Sequence, residues 1–368
     1  MTNLVSKKNI AKSKILSYML TYGKTSKVEL AKDLNLSMPT VLTNVNELME
    51  LGMIEEVGEY ESTGGRKART IAIRKDYKYA IGVDLTANHI GIVLVNMAGE
   101  VVKSERVRAV FSPDIAYYHK LSDVIQTFLS MEINRDKVLG IGFSLPGIIQ
   151  SDARILVKSH ALQLENYSLK MIEQISPFPV YFENDANASM MAENMDEIEN
   201  AVYLSLNNTL GGAICIQGNL FSGQNKKAGE FGHMILVPGG KKCYCGKQGC
   251  ADAYCAGSVL TANGTTNLED FMSMLGQDKK ADAMWHEYLE KLAILISNLR
   301  MAYDTDIILG GEIGGYLADY SMELGENIFK YNLFDGDLSY LRYSSYKKET
   351  SAIGMAKHFL KEFVRDLS

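Results

Sequence analysis

The sequence predicts an α/β protein, with two lobes of mixed sheet and helix behind a small N-terminal winged helix-turn-helix. Three observations predict it. Residues 10–52 carry apolar side chains at helical spacing, broken by short capping signals, whereas from Tyr79 onward the apolar residues come in short, β-rich runs. The charge is uneven in the same way: residues 1–80 hold 13 Lys+Arg against 9 Asp+Glu, a net of +4, while the whole chain is −6, so residues 81–368 carry about −10. The length of 368 residues exceeds one ordinary core and suits two or three domains. The expected division is a winged helix-turn-helix over 1–75, a first lobe over 78–190 and a second lobe over 191–349, with a C-terminal helix near 350–368 completing the first.

Composition excludes several classes. Hydrophobic residues at 46% and charged residues at 22% are ordinary for a globular protein. No apolar run reaches the roughly 18 residues that span a bilayer. The N-terminus has lysines but no apolar core of a secretory signal, so a cytoplasmic protein is expected.

The head is read element by element. Ile15, Leu16, Met19 and Leu20 mark a first helix, which Gly23 stops. Ser26-Lys27-Val28-Glu29 is a capping box opening a short second helix that ends near Leu34. Ser37 starts a third, with Pro39 in its first turn, where the missing N–H costs little. Val41, Leu42, Val45, Leu48 and Met49 repeat along it to Gly52. Two short helices and a longer one form a helix-turn-helix, and Ser37, Met38, Thr40, Thr43, Asn44 and Asn46 are short enough to approach DNA. Residues 53–57 and 69–73 read as the strands of a wing. Its tip carries Gly64, Gly65, Arg66 and Lys67, which suits a minor groove or its phosphates. The alternative is a three-helix domain that binds protein.

In the body, Tyr79–Leu85 is a buried strand ending beside an acid, Asp84, and Ile90–Val95 is a second strand. Val138–Ser144 leads into Leu145-Pro146-Gly147, and Val180-Tyr181-Phe182 leads into Glu183-Asn184-Asp185-Ala186-Asn187. Ala201–Leu206 begins the second lobe. Of five cysteines, Cys243, Cys245 and Cys250 lie within eight residues, while Cys215 and Cys255 stand apart. An odd count argues against a disulfide framework, and the clustering on a glycine-bent loop argues for metal.

Taken with Ala228-Gly229-Glu230-Phe231-Gly232-His233, Cys243–Cys250 and Leu309-Gly310-Gly311, these motifs resemble, in order and spacing, the ROK family of repressors, open reading frames and kinases over essentially the full chain. Within it, the chain resembles sugar-responsive repressors of the xylose and N-acetylglucosamine type. The resemblance implies an actin-like (ribonuclease-H-like) two-lobed sugar-kinase fold. It implies that His233 joins Cys243, Cys245 and Cys250 as a fourth zinc ligand, giving one structural zinc per chain with no open position. It implies sugar binding by Asn184 and Asp185 on one edge and by Glu230 and His233 on the other, with His233 able to serve zinc and sugar through different ring nitrogens. In kinases of the family the acid matching Asp185 is the general base. Plain caps are the competing reading of Asn184, Asp185 and Glu230. Where the family usually has Glu two residues beyond the last cysteine, this chain has Asp252, also expected at the sugar; the shorter side chain leaves glucose in doubt as the ligand.

Family kinases bind ATP phosphates on glycine-rich loops. Here the first loop reads Asp84-Leu85-Thr86-Ala87-Asn88-His89, without those glycines, and the second, Asn207–Ala213, keeps only Gly211 and Gly212. ATP is therefore not expected as a cofactor, and the sequence favours a sugar-responsive repressor over a kinase, with operator DNA and a small sugar as partners. The alternatives are a hexose or N-acetylhexosamine kinase with a fused DNA-binding domain, and a regulator controlled by a phosphotransfer protein. The family precedent implies a homodimer or a dimer of dimers.

Overall fold

The computed structural model describes residues 2–59, 69–130, 134–193, 197–261 and 267–367, with the backbone alone for residues 2–9 and Glu59. The chain divides into two compact units: Met1–Ser144, Leu169–Phe182 and Ala352–Ser368 form one, and Leu145–Ser168 with Glu183–Ser351 form the other. This division differs from a cut near residue 190. Residues 145–168 group with the second unit, and their strands Ile148–Gln150, Ile155–Ser159 and Leu164–Ser168 form an antiparallel sheet of their own.

The head follows its capping chemistry. Helix Thr2–Tyr22 ends at Gly23, whose N–H donates to Met19 O from a φ of +76°. Ser26 and Glu29 close the capping box of helix Lys27–Asp33, each accepting from the other's backbone N–H. Ser37 caps helix Met38–Glu50. Ile15, Leu16, Leu30, Val41, Val45 and Leu48 are buried together with Ile71 and Ile73 of the wing strand Arg69–Ile73, which pairs antiparallel with Ile54–Glu59. The wing tip, with Gly64, Gly65, Arg66 and Lys67, lies outside the described residues.

The rest of the first unit is a five-stranded sheet in the order Val180–Asn184, Val138–Leu145, Tyr79–Leu85, His89–Asn96, Val101–Arg108. The C-terminal helix Thr350–Asp366 packs on it where the strands carry no side chain. A Cβ at Gly82 would stand 1.7 Å from Ala352 O, and one at Gly142 would stand 2.7 Å from Met355. Strand glycines here permit the close approach of a helix.

The second unit repeats the connectivity. Its sheet runs Asn219–Leu220, Leu210–Ile216, Asn200–Leu206, Asp306–Gly310, Leu341–Tyr343, antiparallel on one side of the first strand and parallel on the other. Helix Lys279–Tyr303 supplies Trp285, Tyr288, Leu289, Leu292, Ile296 and Leu299 to a core shared with helix Ser321–Tyr331. The same strand order in both sheets defines two ribonuclease-H-like lobes, the actin-like class predicted. Among the described residues no helix is long and apolar enough to cross a membrane.

Candidate functional site

The second unit carries a half-open cavity of about 270 Å³, just below the usual small-molecule range of about 300–1,000 Å³ and suited to one ring. Three segments build its polar wall. Asn184 closes the strand Val180–Asn184 and caps the helix Asp185–Ala192, its Oδ1 accepting from Ala186 N at 2.9 Å and Asn187 N at 3.1 Å, while its Nδ2 donates to Gly147 O at 3.0 Å. Gly147 holds a φ of +125°, and a Cβ there would meet Lys158 O at 2.4 Å, so the Leu145-Pro146-Gly147 turn lies tight against its neighbouring strand. The cap thus uses the Asn184 side-chain oxygen twice, and the residue's main work is to place Asp185. Asp185, half-buried in the first turn, lines the cavity.

Glu230 precedes and His233 ends a single 3₁₀ turn, Phe231–His233, and both line the same cavity. Partial desolvation in the cavity wall raises the pKa of the Glu230 carboxyl, although the residue stays exposed at the rim. The structure therefore brings Asn184, Asp185, Glu230 and His233 together. Asp252 is not among the residues lining the cavity. Asp252 is buried, and its Oδ1 accepts the Leu210 N–H at 2.7 Å. Burial pushes its pKa up to about 6 against the lowering effect of that bond. Its geometry is that of a brace beneath the Asn207–Ala213 loop.

His160, Tyr244, Lys158, Lys226 and Lys227 also line the cavity, and sequence reading missed all five. Tyr244 was legible in one respect: it sits between two of the clustered cysteines. Its hydroxyl lies 3.5 Å from His233 Nε2, and the rings of His160, His233 and Tyr244 meet edge to face, with centroids 5.4–6.0 Å apart.

Behind this wall, His233, Cys243, Cys245 and Cys250 place one ligand atom each within 4.8 Å of one another. Cys243 Sγ is 3.8 Å from His233 Nδ1, and Cys245 Sγ is 3.7 Å from Cys250 Sγ. A tetrahedral zinc with bonds of about 2.0–2.3 Å sets ligand-to-ligand edges of roughly 3.5–3.8 Å, so the group fits a metal of that kind. The loop is pinned by Cys243 N donating to Lys247 O and by Lys247 Nζ donating to His233 O, both bonds within 2.8 Å. Burial first, then the charges of His160 and Lys247, lowers the His233 pKa and favours the neutral imidazole that metals take. Cys215 and Cys255 are buried elsewhere.

Several backbone amides at Asp84–His89 and Asn207–Ala213 have partners within the chain. In the hairpin at Asp84–His89, Thr86 Oγ1 accepts from Asn88 N and His89 N, and Thr86 N donates to His89 O. In the second loop Leu210 N is held by Asp252. At Leu309-Gly310-Gly311, a Cβ on Gly310 would meet the Tyr203 hydroxyl at 1.9 Å, so this glycine serves close packing.

On the head, Ser37 is the exposed N-cap of the third helix and bonds Thr40 through its hydroxyl, while Met38 and Thr43 are exposed and Thr40 is half-buried. Asn44 is a correction: it is only 2% exposed, and its Nδ2 donates to Thr40 O at 2.7 Å, so it cannot reach a base. Leu42, expected inside, is 41% exposed, because Val41, Val45 and Leu48 define the buried face. The outward face also carries Asn46.

Residues 80–362 match the ROK family and residues 8–55 match a winged helix-turn-helix DNA-binding family. The chain belongs to the ROK family, with an N-terminal winged helix-turn-helix. It is 29% identical over 259 residues to the xylose repressor of Bacillus subtilis, covering 69% of this chain and 67% of that one. It is 26% identical over 245 residues to the DNA-binding transcriptional dual regulator NagC of Escherichia coli, covering 65% and 60% respectively. Among solved structures, a ROK family transcriptional regulator homologous to the E. coli MLC protein has a TM-score of 0.72 at 20% identity and covers 98% of both chains. A ROK hexokinase from Thermus thermophilus has a TM-score of 0.62 at 23% identity, over 78% of this chain and 99% of that one. At these identities the structural likeness is one of fold.

Proposed function

We propose that the protein is a sugar-responsive transcriptional repressor that acts in the cytoplasm as a homodimer, or a dimer of dimers, on operator DNA. The observation that carries this reading is one chain joining a winged helix to a one-ring cavity walled by Asp185, Glu230 and His233. The relatives named as a xylose repressor and as a DNA-binding regulator support it. Asp185 and Glu230 accept from sugar hydroxyls, Asn184 positions Asp185, and Ser37, Met38, Thr40, Thr43, Arg66 and Lys67 contact DNA. We further infer that His233, Cys243, Cys245 and Cys250 hold one structural zinc per chain.

The second reading, a sugar kinase with a fused head, is favoured by the hexokinase-like fold and by Gly211 and Gly212 at the cavity. In that reaction Asp185 would take the proton of a sugar hydroxyl as its oxygen attacks the γ-phosphorus of ATP and ADP leaves. One experiment separates the two. Sugar binding by calorimetry and sugar-dependent ADP release are measured on wild type and Asp185→Asn. The regulator reading expects no ADP release from wild type and affinity reduced roughly ten- to a hundredfold in the variant, the size of one charge-assisted bond. Turnover at about 1–100 per second would establish the kinase.

A further inference from the structure

The head is basic, yet its third helix is not. Residues 1–80 carry 13 Lys+Arg against 9 Asp+Glu, but Met38–Glu50 holds no lysine and no arginine, and its charged residues are Glu47 and Glu50. Glu47 is paired with Lys12 of the first helix at 2.6 Å. The commonest specific contact of a DNA-reading helix, Arg or Lys to a guanine edge, is therefore closed to this one. Its early polar residues are engaged within the chain. Ser37 and Thr40 bond each other through their hydroxyls, and Asn44 is turned inward onto Thr40 O. The cations lie elsewhere on the head, where Lys24 and Lys32, at either side of the second helix, are exposed and suit phosphates.

The outward side of the third helix is largely apolar. Met38 is 37% exposed, Leu42 is exposed one turn further on, and Asn46 is exposed a turn beyond that. At about 100° per residue, Leu42 lies between Met38 and Asn46. A single exposed leucine means little on its own. Here two apolar side chains stand at helical spacing on the element of a winged helix-turn-helix that enters the major groove, inside the segment 8–55 that matches that family.

We propose that Leu42 is a specificity-determining residue that reads the 5-methyl group of a thymine in the major groove, with Met38 packed beside it. The proposal rests on the DNA-binding reading and names what that DNA carries under the third helix: A·T pairs in each half-site. The thymine methyl is the apolar group that a base pair presents in the major groove, and it separates T·A from C·G. A leucine side chain has no polar atom to offer a base edge, so the methyl is the partner from which it gains by shedding water. Asn46, next along the same side, suits the edge of a neighbouring adenine.

The test uses full-length protein and duplexes that it selects from a random library. In the selected duplex, thymines related by the symmetry of the site are replaced pair by pair with uracil, which removes the methyl and keeps the pairing edge. At one such pair wild type is expected to lose about tenfold in affinity, roughly one buried methyl per half-site. Leu42→Ala is expected to bind the thymine duplex about tenfold more weakly than wild type, and to lose about twofold or less on that same uracil replacement. Its melting temperature should hold, because alanine suits an exposed helix position. Leu42→Met keeps the apolar reach and should recover most of the loss. Leu51→Ala removes a leucine that is 53% exposed just past the helix, and should leave binding unchanged. A wild type indifferent to every uracil replacement would overturn the proposal and leave the DNA-binding reading standing. So would a Leu42→Ala protein with the uracil penalty of wild type, or a selected half-site whose specificity lies wholly in G·C pairs. If no duplex is enriched, the DNA-binding reading falls and the proposal with it.

Discussion

His358 shows how much a single buried base sets the pH behaviour of this protein. Its ring stacks on Tyr181 with centroids 3.9 Å apart. Burial first, then the charge of Arg365, lowers its pKa from 6.5 to about 4. In the unfolded chain this imidazole takes up a proton below about pH 6.5, whereas in the folded chain it resists until about pH 4. Between those values the unfolded state binds more protons, so stability falls as pH falls, and the His358 contribution is complete only above pH 6.5. The loss over that window is at most about 3 kcal/mol. Urea titrations at pH 7 and pH 5 should show a clear drop in midpoint for wild type and a smaller one for His358→Phe, which keeps the stacking. Parallel losses in the two proteins would show that other groups govern the acid limb. Nothing in the sequence around His358 announces this. Burial by a strand nearly 180 residues away creates it, and only the packed sheet brings Tyr181 to the ring.

At the scale of elements, local chemistry was legible and facing was less so. The capping box at Ser26 and Glu29 and the Ser37 cap need only residues three positions apart, so the sequence discloses them. The third helix was harder, because its polar and apolar residues do not divide cleanly. Asn44 is polar yet buried, which its bond to Thr40 O tolerates, and Leu42 is apolar yet exposed. These opposite placements give a paired prediction. Asn46→Ala should weaken specific operator binding by about 1–3 kcal/mol with the melting temperature unchanged. Asn44→Ala should lower the melting temperature, since it removes a buried side chain that holds the preceding turn. An Asn44 variant with unchanged stability and lost base specificity would reverse the assignment of faces. The C-terminal helix makes a comparable claim. Gly82→Ala drives a Cβ to 1.7 Å from Ala352 O, a backbone atom that cannot swing away. Overpacking of this kind costs about 3 kcal/mol or more, and denaturant unfolding should show it, whereas Ala at the open Gly276 has only its backbone preference to overcome, at a φ of +78°.

On the whole molecule, the cysteine loop was the most visible part of the site, because a candidate metal group needs several soft ligands close together and the chain supplies three of them within eight residues. The lysines of the cavity were invisible for the converse reason. Surface lysines are common, and only folding brings residue 158 beside 226 and 227. The metal group and the cavity share His233, whose Nδ1 faces Cys243 and whose Nε2 faces Tyr244 at the cavity wall. Under the proposed function this shared ring would couple metal content to ligand affinity. A bound metal fixes the tautomer and the orientation of its imidazole and so the direction of the other ring nitrogen. Protein purified without added metal should therefore contain close to one zinc per chain. Cys245→Ser should lose it, because three remaining ligands leave the tetrahedral set open, and its melting temperature should fall. Sugar affinity should fall with it, measured well below the new melting temperature so that unfolding plays no part. Tyr244→Phe separates the two effects: it keeps every metal ligand and removes only the hydroxyl beside Nε2, so zinc content should hold while affinity drops by about threefold to tenfold, the size of one hydrogen bond. A metal-free wild type of undiminished stability would overturn the zinc assignment. A Cys245→Ser protein that has lost zinc yet binds sugar as tightly as wild type would show that His233 does not couple the two sites.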